Sequence, residues 1–143
     1  MESTVEALMG DAHLLACQPR RILLVDDDQE LVAALADYLT WEGYTVETAI
    51  AAAEAIKKAK LFAPEIVLLD IELDGDVDGY ELAAQLRKRP GEIIRFIACT
   101  GYGDEYHLHR SRVAGFSDHV VKPFTIDRLQ GALCGRAAGQ SVP

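Results

Sequence analysis

Two acidic groups stand out in the sequence, Asp26-Asp27-Asp28 and the run from Asp70 through Glu72, Asp74 and Asp76 to Asp78, and each follows directly on an apolar segment. Short segments rich in Val, Ile and Leu are strand candidates, which puts these carboxylates at strand ends. Thr100-Gly101 and Lys122-Pro123 stand in the same relation to later apolar runs. A sheet that delivers all these ends to one edge gathers Asp26, Asp27 and Asp70 beside a hydroxyl and an ammonium. Carboxylates 4 Å apart repel by about 4 kcal/mol per pair at an effective dielectric constant near 20, so the cluster needs compensation. Lys122 supplies one positive charge, and Mg2+ (or Mn2+), a hard cation suited to oxygen ligands, supplies two. Three carboxylates are then neutralised. A carboxylate next to a metal and a lysine can attack phosphorus and become an acyl phosphate, and Asp70 is the best-placed nucleophile. Such transfer needs positioning and charge stabilisation more than proton chemistry, so Lys122, the Thr100 hydroxyl and the backbone N–H of Gly101 are sufficient further parts.

From Arg21 onward, apolar runs alternate with helical patterns, the signature of a parallel sheet covered by helices on both faces. The strands read as Ile22–Val25, Thr45–Ala49, Glu65–Leu69, Ile93–Ala98 and His119–Val121. The first helix carries Leu31, Ala34, Leu35, Tyr38 and Leu39 on one face and stops at Gly43, a left-handed cap position. The second runs through Ala52, Ala55, Ile56 and Ala59 to a break before Pro64, and the third from Tyr80 to Pro90. The fourth, Asp104–Ala114, has a polar face, and the fifth runs from Ile126 to about Cys134. In such sheets ligands bind beyond the carboxyl ends of the strands, where the strand order reverses. Residues 1–19 lie outside the alternation as an N-terminal extension, and residues 136–143 read as a C-terminal tail.

With 143 residues, half of them hydrophobic, the chain suits one globular domain. Its formal charge of -9 argues against direct nucleic acid binding, which needs clustered Lys and Arg. No apolar run approaches the roughly 18 residues of a membrane span, and the start is acidic at Glu2 and Glu6, so neither membrane insertion nor secretion is expected. Cys17, Cys99 and Cys134 form an odd set without Cys-x-x-Cys spacing, which suggests neither a disulfide framework nor a zinc site and fits a cytoplasmic location.

Taken together, Val25-Asp26-Asp27-Asp28, Leu68-Leu69-Asp70, Asp78-Gly79, Thr100-Gly101 and Val121-Lys122-Pro123-Phe124 make the chain resemble the receiver domain of two-component response regulators, from about Arg21 to Cys134. Any one piece is weak; their order and separations are specific. The resemblance implies a flavodoxin-like doubly wound (βα)5 fold over residues 20–135, a parallel five-stranded sheet in the order 2-1-3-4-5. It also implies phosphorylation of Asp70 by a phosphohistidine on a sensor histidine kinase or phosphotransfer protein. By the same resemblance Asp27 and Asp70 bind Mg2+ directly, Asp26 acts largely through water, and the backbone carbonyl of Glu72 completes the ligands. Thr100 and Lys122 then contact the phosphoryl oxygens, and Thr100 with His119 switches the surface of the fourth helix, fifth strand and fifth helix, a surface also available for a homodimer. The chain departs from the family in lacking a Pro in the loop after Asp70, which is one residue longer than usual, and in having His119 where Tyr or Phe is usual. Thr100-Gly101-Tyr102-Gly103, Gly115-Phe116 and His119-Val120-Val121-Lys122-Pro123 look similar to receivers of hybrid histidine kinases.

Two other classes compete. Asp74, Asp76 and Asp78 match the first half of a calcium-binding loop, but its twelfth position is Gln85 instead of Glu, and a strand precedes it. An aspartate-nucleophile phosphatase similar to the haloacid dehalogenases leaves Asp26-Asp27 without a role. The bland readings of single residues are an N-terminal helix cap at Asp28, a core thiol at Cys99, solvated His107 and His109, and a corner closed by Trp41 and Tyr44.

Overall fold

The structure, a computed structural model, describes residues 21–73, 75, 77–87 and 93–135. The extension 1–19, the tail 136–143, Asp74, Asp76 and Pro90 fall outside the described residues. Within them the chain runs β1 (Arg21–Val25), α1 (Gln29–Trp41), β2 (Thr45–Ala49), α2 (Ala52–Phe62), β3 (Ile66–Asp70), α3 (Gly79–Leu86), β4 (Arg95–Thr100), α4 (Glu105–Val113), β5 (Asp118–Val121) and α5 (Ile126–Leu133). All strand pairs are parallel, as the alternation of apolar runs and helices predicts, and their order, β2-β1-β3-β4-β5, is the one that the resemblance implies.

The apolar strands divide their side chains by alternation between two cores. Leu23, Val25, Val67, Leu69, Phe96 and Ala98 face α2 and α3, where Ala55, Ala59, Leu82 and Leu86 cover them. Ile22, Leu24, Ile66, Leu68, Ile97 and Cys99 face α1 and α5, under Leu39, Leu129, Ala132 and Leu133. A sheet buried on both faces has no edge for a ligand except its strand ends, which is why the polar groups collect there.

Local chemistry sets the helix limits. Asp28 accepts from the Leu31 amide at 3.2 Å and caps α1, and Asp78 and Thr125 cap α3 and α5 in the same way at 2.9 and 3.1 Å. Gly43, at φ +105°, takes the left-handed turn after α1 and lets the Tyr44 amide reach the Leu39 carbonyl. No helix among the described residues is long and apolar enough to cross a membrane.

The structure moves some expected elements. Strand β4 begins at Arg95 instead of Ile93, because the Arg95 amide bonds the Glu65 carbonyl and its guanidinium donates to the carbonyls of Leu133 and Ala132. Ile93 is 92% exposed, so its apolar side chain is outside the core that defines the strand. Strand β3 likewise ends on Asp70, which pairs in register with Cys99. Trp41 does not close the corner; it is exposed, and Tyr44 alone is buried there. Cys134 is disulfide-bonded, against the expectation from spacing, since proximity in the fold and not separation along the chain selects thiol partners. Cys99 is a free, buried core thiol, pushed up to about 12 by burial.

Candidate functional site

Strands β1 and β3 end side by side, and their last turns bring one oxygen each of Asp26, Asp27 and Asp70 within 4.8 Å of one another. An octahedral Mg2+ with ligands about 2.1 Å away holds neighbouring oxygens about 3 Å apart and opposite ones about 4 Å apart, so this all-carboxylate set fits such an ion with small adjustments. Asp26 and Asp70 are buried and Asp27 is half-buried. Both Asp26 oxygens are engaged: Oδ1 accepts from the Asp28 amide at 2.9 Å, and Oδ2 accepts from Lys122 Nζ at 2.6 Å. The same ammonium lies 3.8 Å from Asp70 Oδ2, while Asp70 Oδ1 accepts from the Glu72 amide at 3.0 Å.

This crowding has an electrostatic signature. Burial, reinforced by the Asp26 and Asp27 charges, pushes the Asp70 carboxyl up to about 6, although the Glu72 amide and Lys122 favour its ionised form. Burial acts to lower the Lys122 ammonium, but its bond to Asp26 and the Asp70 charge outweigh that and raise it. One lysine therefore does not neutralise the pocket. It lacks positive charge in the amount a divalent cation supplies.

Strand β4 carries Thr100 to the same edge with 1% exposure, and Gly101 follows it. Thr100 Oγ1 donates to Glu72 Oε1 at 3.0 Å and accepts from the Tyr102 amide at 3.3 Å. The Tyr102 carbonyl in turn accepts from His119 Nε2 at 2.6 Å. Since a carbonyl can only accept, Nε2 carries a proton, and Nδ1 pairs with Ser111 Oγ at 2.7 Å. The Tyr80 hydroxyl shares a hydrogen bond with the Ser111 hydroxyl at 3.3 Å. His119 thus sits buried in a chain from α3 through α4 and β5 to the β4–α4 loop. Arg128 braces β5 from the other side, gripping the Asp118 carboxylate with two donors at 2.8 and 3.1 Å and the His119 carbonyl at 3.0 Å.

The long loop after Asp70 closes by a bond from the Gly79 amide to the Ile71 carbonyl at 3.0 Å. A Cβ at Gly79 would lie 2.6 Å from the Ile71 Cα and 2.7 Å from the Asp70 carbonyl oxygen, so only glycine permits this closure. The Asp78 carboxylate is used as the α3 cap, and the segment before the loop is strand, both of which count against a calcium loop.

Of the expected site residues, Asp26, Asp27, Asp70 and Lys122 come together directly, and Thr100 adjoins them on the neighbouring strand. Sequence reasoning missed the Glu72 side chain as the Thr100 partner, and missed Ser111 and Tyr80 as supports of His119. Their contacts span 28, 8 and 31 residues, and no local spacing signals them. His107 is not simply solvated; it pairs with Asp104 and stacks on Tyr102 with ring centroids 4.5 Å apart.

Residues 22–134 match the response regulator receiver domain family. The chain is 32% identical to the acid tolerance regulatory protein ActR of Sinorhizobium medicae, over 94% of its own length and 68% of the relative. It is 33% identical to the sporulation initiation phosphotransferase F of Bacillus subtilis, over 79% of its own length and 90% of the relative. It spans less than half of several transcriptional regulators that it also matches. A crystal structure of a Burkholderia pseudomallei response regulator with a phosphorylated aspartic acid, calcium ion and citrate superposes with a TM-score of 0.71 at 28% identity, covering 80% of this chain and 66% of that one. Receiver domains are signalling modules that work with histidine kinases or phosphotransfer proteins. By sequence, strand order and the acidic edge of its sheet, the chain belongs to the receiver domains of two-component response regulators.

Proposed function

We propose that this receiver takes a phosphoryl group from a phosphohistidine onto Asp70. The observation that carries the reading is the cluster of Asp26, Asp27 and Asp70 against a single lysine, an arrangement short of positive charge and open to phosphate chemistry. A bound Mg2+ would supply the missing positive charge. An Asp70 oxygen forms the bond to phosphorus as the bond from phosphorus to the donor imidazole nitrogen breaks. Asp27 and Asp70, together with the Glu72 carbonyl, would hold the ion directly. Asp26, whose oxygens already accept from the Asp28 amide and Lys122, would act through water. Lys122, Thr100 and the Gly101 amide stabilise the phosphoryl oxygens.

On this reading the output is a changed α4-β5-α5 surface, with Thr100 and His119 joined through the Tyr102 peptide as the moving parts. That surface then meets the next component or a second copy of the chain. The Burkholderia structure, with its phosphorylated aspartic acid, supports the chemistry by family. The test is incubation with Mg2+ and acetyl phosphate followed by intact-mass measurement. Wild type should gain one phosphoryl group, Asp70→Asn none, and omission of the metal should suppress the gain. Sustained turnover of a small phosphomonoester, or an adduct surviving in Asp70→Asn, would overturn the reading.

A further inference from the structure

We propose that the Glu72 side chain is a latch on Thr100, a positioning residue whose release is required before the Thr100 hydroxyl can serve a phosphoryl group. The inference rests on the receiver chemistry proposed above and adds a residue to it. Thr100 is almost fully buried, and its hydroxyl is already committed: Oγ1 donates to Glu72 Oε1 at 3.0 Å and accepts from the Tyr102 amide at 3.3 Å. A hydroxyl has one proton to donate, so Thr100 cannot bond the Glu72 carboxylate and a phosphoryl oxygen together.

The latch is anchored at one end and free at the other. The Glu72 amide is tied to Asp70 Oδ1 at 3.0 Å, which fixes the residue between the reacting carboxylate and β4. Its carboxylate passes close over the chain at Gly101, where a Cβ would stand 3.8 Å from Oε1. Glu72 is nevertheless exposed, so the carboxylate can exchange Thr100 for water without burying a charge. A hydroxyl–carboxylate bond is charge-assisted, which makes it a real competitor for the Thr100 proton.

Breaking the latch also reaches further than Thr100. The Tyr102 amide bonds the Thr100 hydroxyl and the Tyr102 carbonyl bonds His119 Nε2, so a shift of that hydroxyl is carried to β5 through the two peptide units that flank the Tyr102 Cα. Glu72 thereby sets how readily an anion on Asp70 recruits both Thr100 and the His119 chain.

The test is the affinity of the full chain for beryllofluoride at saturating Mg2+, followed through the Gly101 and Tyr102 amide resonances. Glu72→Ala should bind about tenfold more tightly than wild type and Glu72→Gln about threefold, the neutral amide oxygen being a weaker competitor. The gain should vanish in a Thr100→Ala background and should persist at 1 M salt, where a through-space charge effect is screened within about 3 Å. A gain that survives Thr100→Ala, or collapses at high salt, would mean that Glu72 acts only by its charge and would overturn the latch. Binding by wild type with no gain in Glu72→Ala would overturn it as well while leaving the receiver chemistry standing. Failure of wild type and Glu72→Ala alike to bind beryllofluoride would instead remove that chemistry and the latch with it.

Discussion

Replacing Asp70 by Asn should stabilise the metal-free protein, because the carboxylate is held where its charge is disfavoured. The rise from the ordinary 3.8 to about 6 has burial as its main cause, with Asp26 and Asp27 adding to it. At about 1.4 kcal/mol per pKa unit this corresponds to a ceiling of about 3 kcal/mol. Partial solvation and the lost attraction to Lys122, 3.8 Å away, bring the expected gain to about 1–2 kcal/mol at pH 7.5. The sign follows from proton linkage: a carboxyl whose folded value lies above its unfolded value binds protons more tightly when folded. Its ionisation therefore penalises the fold fully above pH 6, progressively less between pH 6 and 4, and not at all below. Urea unfolding of wild type and Asp70→Asn in chelator, at intervals from pH 7.5 to 5, measures this directly. The gap between them should be widest at pH 7.5 and narrow on acidification, and saturating Mg2+ should close it by stabilising wild type more than the variant. An Asp70→Asn protein less stable than wild type at pH 7.5, or a gap that does not change with pH, would refute the electrostatic account.

Gly79→Ala should cost about 1–3 kcal/mol in urea unfolding and weaken Mg2+ binding in a fluorescence or NMR titration, since its Cβ meets only backbone, at Ile71 and the Asp70 carbonyl. A wild-type unfolding midpoint would show that the loop can close another way. His119→Phe installs the aromatic residue usual in the family, yet here it should destabilise by about 1–3 kcal/mol, because Ser111 and the Tyr102 carbonyl lose their buried partner. Equal or greater stability in thermal or urea unfolding would show that the His119 chain does not hold the loop.

What could be read from sequence was set by short-range physics. An apolar strand covered on both faces must become polar where it leaves the core, so Val25 before Asp26-Asp27 and Leu69 before Asp70 marked the site edge without any tertiary information. Asp28 after β1 and Gly43 after α1 were equally legible, because a cap bonds within its own turn and a left-handed residue is a local backbone demand. Neutralising three carboxylates is a matter of counting charge, which needs only their identities and the strand order.

The tertiary structure decided what depends on distance between elements remote in sequence. The start of β4 was misplaced because Ile93 is apolar but lies outside the core, whereas Arg95, a charged residue, is held in the sheet edge by carbonyls of α5. The direction of His119 was not in its neighbours along the chain: its ring is fixed by Ser111 from α4 and by the peptide after Thr100-Gly101. The Glu72 carboxylate could be placed near Asp70 by sequence, but only folding put the Thr100 hydroxyl within 3.0 Å of it. Sequence determined the donors at the ends of the strands, since burial and local capping act over a few residues. The pairings among them came from the register of β3 against β4 and the packing of α4 on β5, which no spacing along the chain encodes.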